Sequence, residues 1–325
     1  LSSSPDVVGV GNAIVDVMAN VPESFIADHG LLKGAMTLID ADRAASLYEA
    51  MPPITATSGG SAANTMAGIA GLGGRAAFLG KVRDDQLGEV FAHDLRAAGV
   101  AFDVPLAASG PPTARSLIQV TPDAERTMNT YLGISAVLAP EDIIVEIVAS
   151  AAITYCEGYL YDTEIAKSAI RFAMDVAADA GRVVSMTLSD PFCVERHRVE
   201  WLDLLADKVD LVFANEAEAM SLFETDDLES ANRQIADLVP LAAVTRSARG
   251  SVIVEGGQRV VVPATDVTRV VDATGAGDLY ASGFLFGHAQ GLPLQRCAEL
   301  GSIAAGEVIS HLGARPQTSL ASLIA

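Results

Sequence analysis

Short apolar runs alternate with amphipathic helical stretches along most of the chain, and this rhythm limits the fold more than any other feature. Strands and helices that alternate in this way form βαβ units, which require a largely parallel sheet covered by helices. Asp6–Asp16 (DVVGVGNAIVD) reads as a buried strand ending in polar residues, and Ala76–Lys81 as the next strand. Ala151–Cys156, Val183–Leu188, Val209–Ala214 and Ala242–Thr245 continue the series. Between them, Ser61–Leu72 reads as a helix of small residues. Gln86–Ala98 puts Leu87, Val90, Phe91 and Leu95 on one helical face, and Thr163–Ala180 spaces Ile165, Ala169, Phe172 and Val176 likewise. Two long helices, Gly275–Gln290 and Leu294–His311, close the chain. The expected fold is α/β: a large doubly wound, mostly parallel sheet flanked by helices.

Two regions break the rhythm. Leu31–Asp40 and Phe102–Leu132 hold β-rich stretches such as Arg115–Thr121 and Arg126–Tyr131, with turn residues between them. Strand-only insertions in an α/β chain suggest a small sheet lying over a site, although an ordinary surface hairpin fits the periodicity equally well. The expectation is one domain over residues 1–325 with a small β-sheet lid from insertions at roughly 13–40 and 100–133. An exposed edge of that sheet could pair two copies into a homodimer.

With 41 acidic against 21 basic residues, the formal charge is −20. Such a surface repels nucleic acid and anionic membranes, so neither is an expected partner. Any phosphate site must be built locally, from backbone N–H groups and helix N-termini. Cys156, Cys193 and Cys297 are scattered and form no CxxC pair, which points to neither a disulfide framework nor a thiolate zinc site. Cys193 and His197 lie four apart without further ligands. The apolar run Ile143–Cys156 is broken by Glu146 and too short to span a bilayer. The opening LSSSPDVVGV lacks a basic segment followed by an apolar one, and a cytoplasmic location is expected.

The chemistry concentrates at Val271-Asp272-Ala273-Thr274-Gly275-Ala276-Gly277-Asp278. A strand ends, small residues turn the chain, and a helix begins with unpaired N–H groups that favour an anion. Gly275 and Gly277 allow backbone to approach phosphoryl oxygens. Asp278, just beyond, is placed either as a base toward an attacking hydroxyl or as a simple helix N-cap. No Walker A loop surrounds Gly80-Lys81, since position 75 is Arg and position 82 is Val. Gly9 and Gly11 are followed by Asn12, without the third glycine of a dinucleotide fingerprint.

DATGAGD followed by LYASGFL resembles the C-terminal motif of the ribokinase-like (PfkB) carbohydrate kinases. Ser58-Gly59-Gly60-Ser61-Ala62-Ala63-Asn64-Thr65 resembles the family's other motif, Asn215-Glu216-Ala217-Glu218 its N-x-x-E element, and Thr245-Arg246-Ser247-Ala248-Arg249-Gly250 its nucleotide-binding strand and turn. The four occur in the family's order across nearly the whole chain. The resemblance implies an ATP- and Mg2+-dependent kinase with Asp278 as general base and the N–H groups of Gly275, Ala276 and Gly277 stabilising the transferring phosphoryl.

It also implies that Asp16 binds acceptor hydroxyls, with Gly59, Gly60 and Asn64 lining the same pocket. Asn215 and Glu218 share one helical face and could order waters on Mg2+, the expected place of Glu218, or reach phosphate oxygens of ATP, the expected place of Asn215. Thr245, Ser247, Gly250 and Thr274 fall to the nucleotide, with Arg249 facing solvent, and Asp272 with Thr274 to a monovalent cation such as K+. Glu157 either contacts the acceptor or is a strand-end turn carboxylate. Arg115 and Arg126 could touch a phosphate, but solvated strand arginines are the expectation.

For the acceptor, GNAIVD, the Gly34–Asp40 segment and PTARSLIQVTPDAERTMNTYLG are most similar to the adenosine kinase-like branch. A nucleoside needs an apolar slot for its base, with Met36, Ile39, Leu117, Met128 and Tyr131 as expected walls. A free sugar such as ribose or fructose is the alternative acceptor, and a nucleotide-binding protein without catalysis is the third reading.

Overall fold

The computed structural model describes residues 4–123 and 125–325. In chain order the strands are Val7–Val10 (β1), Ile14–Asn20 (β2), Met36–Leu38 (β3), Thr55–Gly59 (β4), Ala76–Leu79 (β5), Ala114–Val120 (β6) and Arg126–Tyr131 (β7). They continue as Ile153–Glu157 (β8), Val183–Thr187 (β9), Leu211–Asn215 (β10), Leu241–Thr245 (β11), Ser251–Glu255 (β12) and Gln258–Val262 (β13).

Eight strands form one sheet in the order β13-β12-β11-β10-β9-β8-β1-β5. From β5 through β11 the neighbours pair in parallel, and β12 and β13 add an antiparallel edge. Every residue of β1, β5 and β8 is buried, so both faces of the sheet centre are covered. The helices Ser61–Gly71, Ala276–Ala289 and Leu294–Val308 pack on one another, and Glu164–Asp179 packs on β8 and β9. Parallel strands need such crossovers, which is why the helical spacing read from the sequence matches helices here. The chain runs outward from β1 to β5, then returns beside β1 as β8 and proceeds the other way. That reversal opens a crevice at the carboxyl ends of β1 and β8.

The second sheet has five strands in the order β3-β7-β6-β2-β4. It recruits β4, which lies outside both expected insertions. The run Asp6–Asp16 is not one strand: β1 stops at Val10 and β2 starts at Ile14 in the other sheet. Apolar content alone does not register that break, because both halves are buried on at least one face. In β2 the burial alternates, with Val15, Val17 and Ala19 inward and Ile14, Asp16 and Met18 on the opposite face.

Asp85 joins the two sheets. It caps the helix Gln86–Ala97 by accepting from Gly88 N at 2.9 Å, and it accepts from Thr113 N at 2.9 Å and Thr113 Oγ1 at 2.7 Å, one residue before β6. Replacing Asp85 by Ala removes the cap and leaves the N–H of the fully buried Thr113 without its acceptor. A loss of about 2 kcal/mol is expected, measured as a lower urea midpoint with unchanged m-value.

Candidate active site

A cleft of about 910 Å³ lies between the crevice of the large sheet and the exposed face of the small one. One wall is the turn before the helix Ala276–Ala289. Gly275 adopts φ +80, a left-handed conformation that glycine alone takes cheaply, and an added Cβ would meet Ala314 at 2.7 Å. Ala276 N donates to Ala273 O at 3.2 Å and so belongs to the turn. Among the described residues, the N–H groups of Gly275, Gly277 and Asp278 have no acceptor and are left to an anion.

Asp278 is held across the cleft floor by the helix Ser61–Gly71. Ser61 Oγ donates to Oδ1 at 2.7 Å and Asn64 Nδ2 to Oδ2 at 3.0 Å. Burial raises its pKa above the ordinary carboxylate value, opposed by these two donors and by the Arg315 guanidinium. Asn64 Oδ1 is buried and has no partner among the described residues, leaving an acceptor open toward a hydroxyl. The turn before this helix needs Gly60 at φ +93, where a Cβ would sit 2.3 Å from Asn12 O.

Glu157, at the end of β8, is buried and takes three donors: Asn12 N at 2.8 Å, Asn12 Nδ2 at 2.7 Å and Ala62 N at 2.8 Å. Burial still pushes its pKa to about 7. Its oxygens are spent on the protein, so it acts on the cleft by fixing the turns at Gly11–Asn12 and Gly60–Ala62. Asp16 lies on the cleft face of β2, its carboxyl directly over the Cα of Gly59. Desolvation raises it to about 6, against the pull of Arg126 and Arg315.

The small sheet presents two neighbouring rungs. One runs Asp16, Ser116, Thr130 and Leu38, with Ser116 Oγ 3.0 Å from Thr130 Oγ1; the next runs Met18, Ile118, Met128 and Met36. Met36 and Met128 face the cleft as expected, and Leu38, Ile118 and Leu132 join them. Leu117 does not, because it alternates with Ile118 and is fully buried on the other face. Ile39 and Tyr131 are also outside the lining.

On the other side of the cleft, Asn215 and Glu218 form a capping box: Asn215 Oδ1 accepts from Glu218 N at 2.9 Å, and Glu218 accepts from Asn215 N at 2.9 Å and Nδ2 at 2.6 Å. Burial raises Glu218 to about 7. Thr245 and Thr274 line the cleft, whereas Ser247 and Gly250 sit in the β11–β12 turn outside it. Gly250 there has φ +78 and closes the turn through Arg246 N to Gly250 O at 2.7 Å.

The strand arginines are not solvated. Arg126, 10% exposed, pairs with Asp272, 7% exposed, and Arg115 lies over the Tyr48 ring at 5.4 Å. In a chain so acidic, the carboxylate neighbour that buries Arg126 is 146 residues away and invisible to local patterning. Arg315 was not anticipated either; it stands alone in a Gly-Ala-Arg-Pro stretch without periodicity. Ser61, which the sequence offers only as one residue of a motif, donates to Asp278.

Residues 34–320 match the family described as pfkB family carbohydrate kinase. The chain belongs to that family. Fructokinase-1 of Oryza sativa is 31% identical over 247 residues, covering 74% of this chain and 76% of that protein. An adenosine kinase from Sinorhizobium meliloti superposes with a TM-score of 0.92 at 54% identity, covering 99% of both chains. A probable sugar kinase from Rhizobium etli gives 0.92 at 52%, covering 99% and 98%. The protein is thus a pfkB-type kinase with an adenosine kinase-like fold, and its family uses ATP, usually with Mg2+.

The cleft fits a nucleotide through the open Gly275 and Gly277 N–H groups. Among the described residues, no group of three or more His, Cys, Asp or Glu side chains gathers as a metal cage. A Mg2+ held mainly by nucleotide phosphates fits that arrangement. A monovalent cation at the Asp272 carboxylate does not fit. Oδ1 accepts from Thr274 N at 2.9 Å, and Oδ2 accepts from Gly313 N at 2.9 Å and from Arg126. Among the described residues no helix is long and apolar enough to cross a membrane.

Asp16 carries a stability cost with a definite pH signature. Its folded pKa of about 6 exceeds the ordinary 3.8, so its contribution is favourable at low pH and lost as pH rises through 6. Asp16→Asn should therefore exceed the wild type in stability at pH 8 by about 1–3 kcal/mol, with the difference fading between pH 6 and pH 4. Urea unfolding of the ligand-free proteins at pH 8 and pH 4 checks this; an equal difference at both would contradict it.

Proposed function

We propose that this kinase transfers the γ-phosphoryl of ATP to a primary hydroxyl of a nucleoside, with Asp278 as general base. The observation that carries the acceptor class is the pair of adjacent rungs on the small sheet. Asp16, Ser116 and Thr130 offer polar groups to a sugar, and Ile118, Met128 and Met36 one rung away offer an apolar wall to a base. A free hexose or pentose has no use for the second rung. The 54% identity to an adenosine kinase supports the same reading, whereas the fructokinase relatives support the sugar kinase alternative.

Asp278 takes the hydroxyl proton as the oxygen attacks, its oxygens oriented by Ser61 and Asn64 and its basicity raised by burial. ATP, bound with Mg2+, supplies the phosphoryl group and part of the charge neutralisation. The Gly275 and Gly277 N–H groups then stabilise charge that develops on the equatorial oxygens. Asn64 Oδ1 and Asp16 accept from the remaining hydroxyls, and Glu218 with Asn215 holds the helix start on the nucleotide side. Thr245 and Thr274 complete that side. The small sheet serves as a lid over the acceptor.

Asp278→Asn keeps the shape and removes the base, so turnover should fall at least about 100-fold while ATP still binds by calorimetry. Near-normal turnover would remove Asp278 from the role. Substrate class is tested with adenosine, 2′-deoxyadenosine, ribose and fructose. The ribonucleoside should lead, and the 2′-deoxynucleoside should lose roughly tenfold in kcat/KM because a polar group is left unpaired. Robust turnover of fructose or ribose with none of adenosine would sink the nucleoside reading and leave the kinase intact.

A further inference from the structure

The segment after the last long helix runs between the two turns that form the cleft. Gly313 N donates to Asp272 Oδ2 at 2.9 Å, and Ala314 packs against Gly275 so closely that no side chain fits between them. Arg315 then reaches the acceptor side. Its Nη1 donates to Ala63 O at 3.1 Å, and its Nη2 to Ser58 O at 3.3 Å and Ser58 Oγ at 3.2 Å. These oxygens flank the Gly59–Gly60 turn on both sides. The strap is itself anchored by Glu307, which is buried and accepts from Gln317 N at 2.9 Å and Thr318 N at 2.7 Å.

We propose that Arg315 is a positioning residue: its guanidinium clamps the Gly59–Gly60 turn to the Gly275 turn and supplies the positive charge against which Asp16 and Asp278 face one cleft. This rests on the reading of Asp278 as base. A planar fork suits the task, since one group must reach carbonyls on two elements at once. Arg315 Nε is buried without a partner among the described residues, so the side chain tolerates a desolvation cost that packing alone does not explain. The charged groups around it are Asp16 from β2, Asp278 from the helix Ala276–Ala289 and Asp94 from the helix Gln86–Ala97. Arg126 also faces Asp16, and Glu157 also faces Asp278, but among the described residues Arg315 alone attracts both carboxylates. Without it the two carboxyls lose their shared counter-charge, and each shifts further upward.

The test compares wild type, Arg315→Met and Arg315→Lys in full-length protein, with ATP and whichever acceptor the wild type phosphorylates. Arg315→Met should lower kcat about tenfold more at pH 6 than at pH 8 and raise the acceptor KM. Arg315→Lys keeps the charge without the fork, so the ratio of kcat at the two pH values should return to the wild-type value while KM stays high. A folded Arg315→Met with the wild-type ratio overturns the proposal, as does Arg315→Lys with a ratio like that of Arg315→Met. Should Arg315→Met not fold, Arg315→Lys decides: a wild-type ratio with raised KM supports the proposal, and any other result overturns it. Failure of the base reading shows separately, as retained turnover in Asp278→Asn.

Discussion

The buried carboxylate of Glu157 sets the geometry on which the cleft depends. It ends β8 at the point where strand order reverses, and its three donors come from the turn that leaves β1 of the large sheet and the helix start that follows β4 of the small one. A buried carboxylate without partners would be costly, and here the donors are backbone and amide groups that can meet it only with both turns in place. Fixing Ala62 fixes the first turn of the helix Ser61–Gly71, and with it Ser61 and Asn64. Those two side chains then fix Asp278 from a helix more than 200 residues later. The Gly59–Gly60 turn and the helix start at Asp278 are thus set by one chain of hydrogen bonds that begins in the sheet.

Electrostatics follow the same economy. A protein with a formal charge of −20 cannot draw an anionic nucleotide by its overall field, so attraction is confined to the cleft. Unpaired N–H groups at a helix start provide part of it. Arg126, neutralised by Asp272, and Arg315, held on the Ser58 and Ala63 oxygens, lie behind the cleft lining. Both are shielded from solvent, where their fields are screened less than those of surface lysines. The same shielding raises Asp16, Glu157, Glu218 and Asp278 above their ordinary values, so the carboxylates that line the cleft are also those the fold holds least comfortably.

The α/β rhythm, the long closing helices and the glycine turn before Asp278 were legible in the sequence, because each depends on near neighbours. Helical spacing and a glycine pair at a helix start carry their meaning within a few residues. Errors arose where a second element had to be known. Asp16 was assigned to the end of the first strand, although a three-residue break carries it into the other sheet. Leu117 and Ile118 are indistinguishable in the strand itself, because β6 is buried on both faces and the partner of each face is not written in it. Arg126 read as solvated because its carboxylate lies far along the chain.

By itself the sequence determined the fold class, the reaction family and the motif residues, since these follow from local periodicity and from short segments whose chemistry is complete in itself. The tertiary structure alone decided which motif side chains face the cleft and which are spent holding it. Glu157 and the Asn215–Glu218 box have their oxygens filled by the protein, Ser247 and Gly250 stand outside the cleft, and Arg315 braces the Ser58–Ala63 segment from the chain's end. The physical reason is that a hydrogen-bonding group takes its role from the partner it meets. In this fold those partners arrive from elements up to 257 residues away.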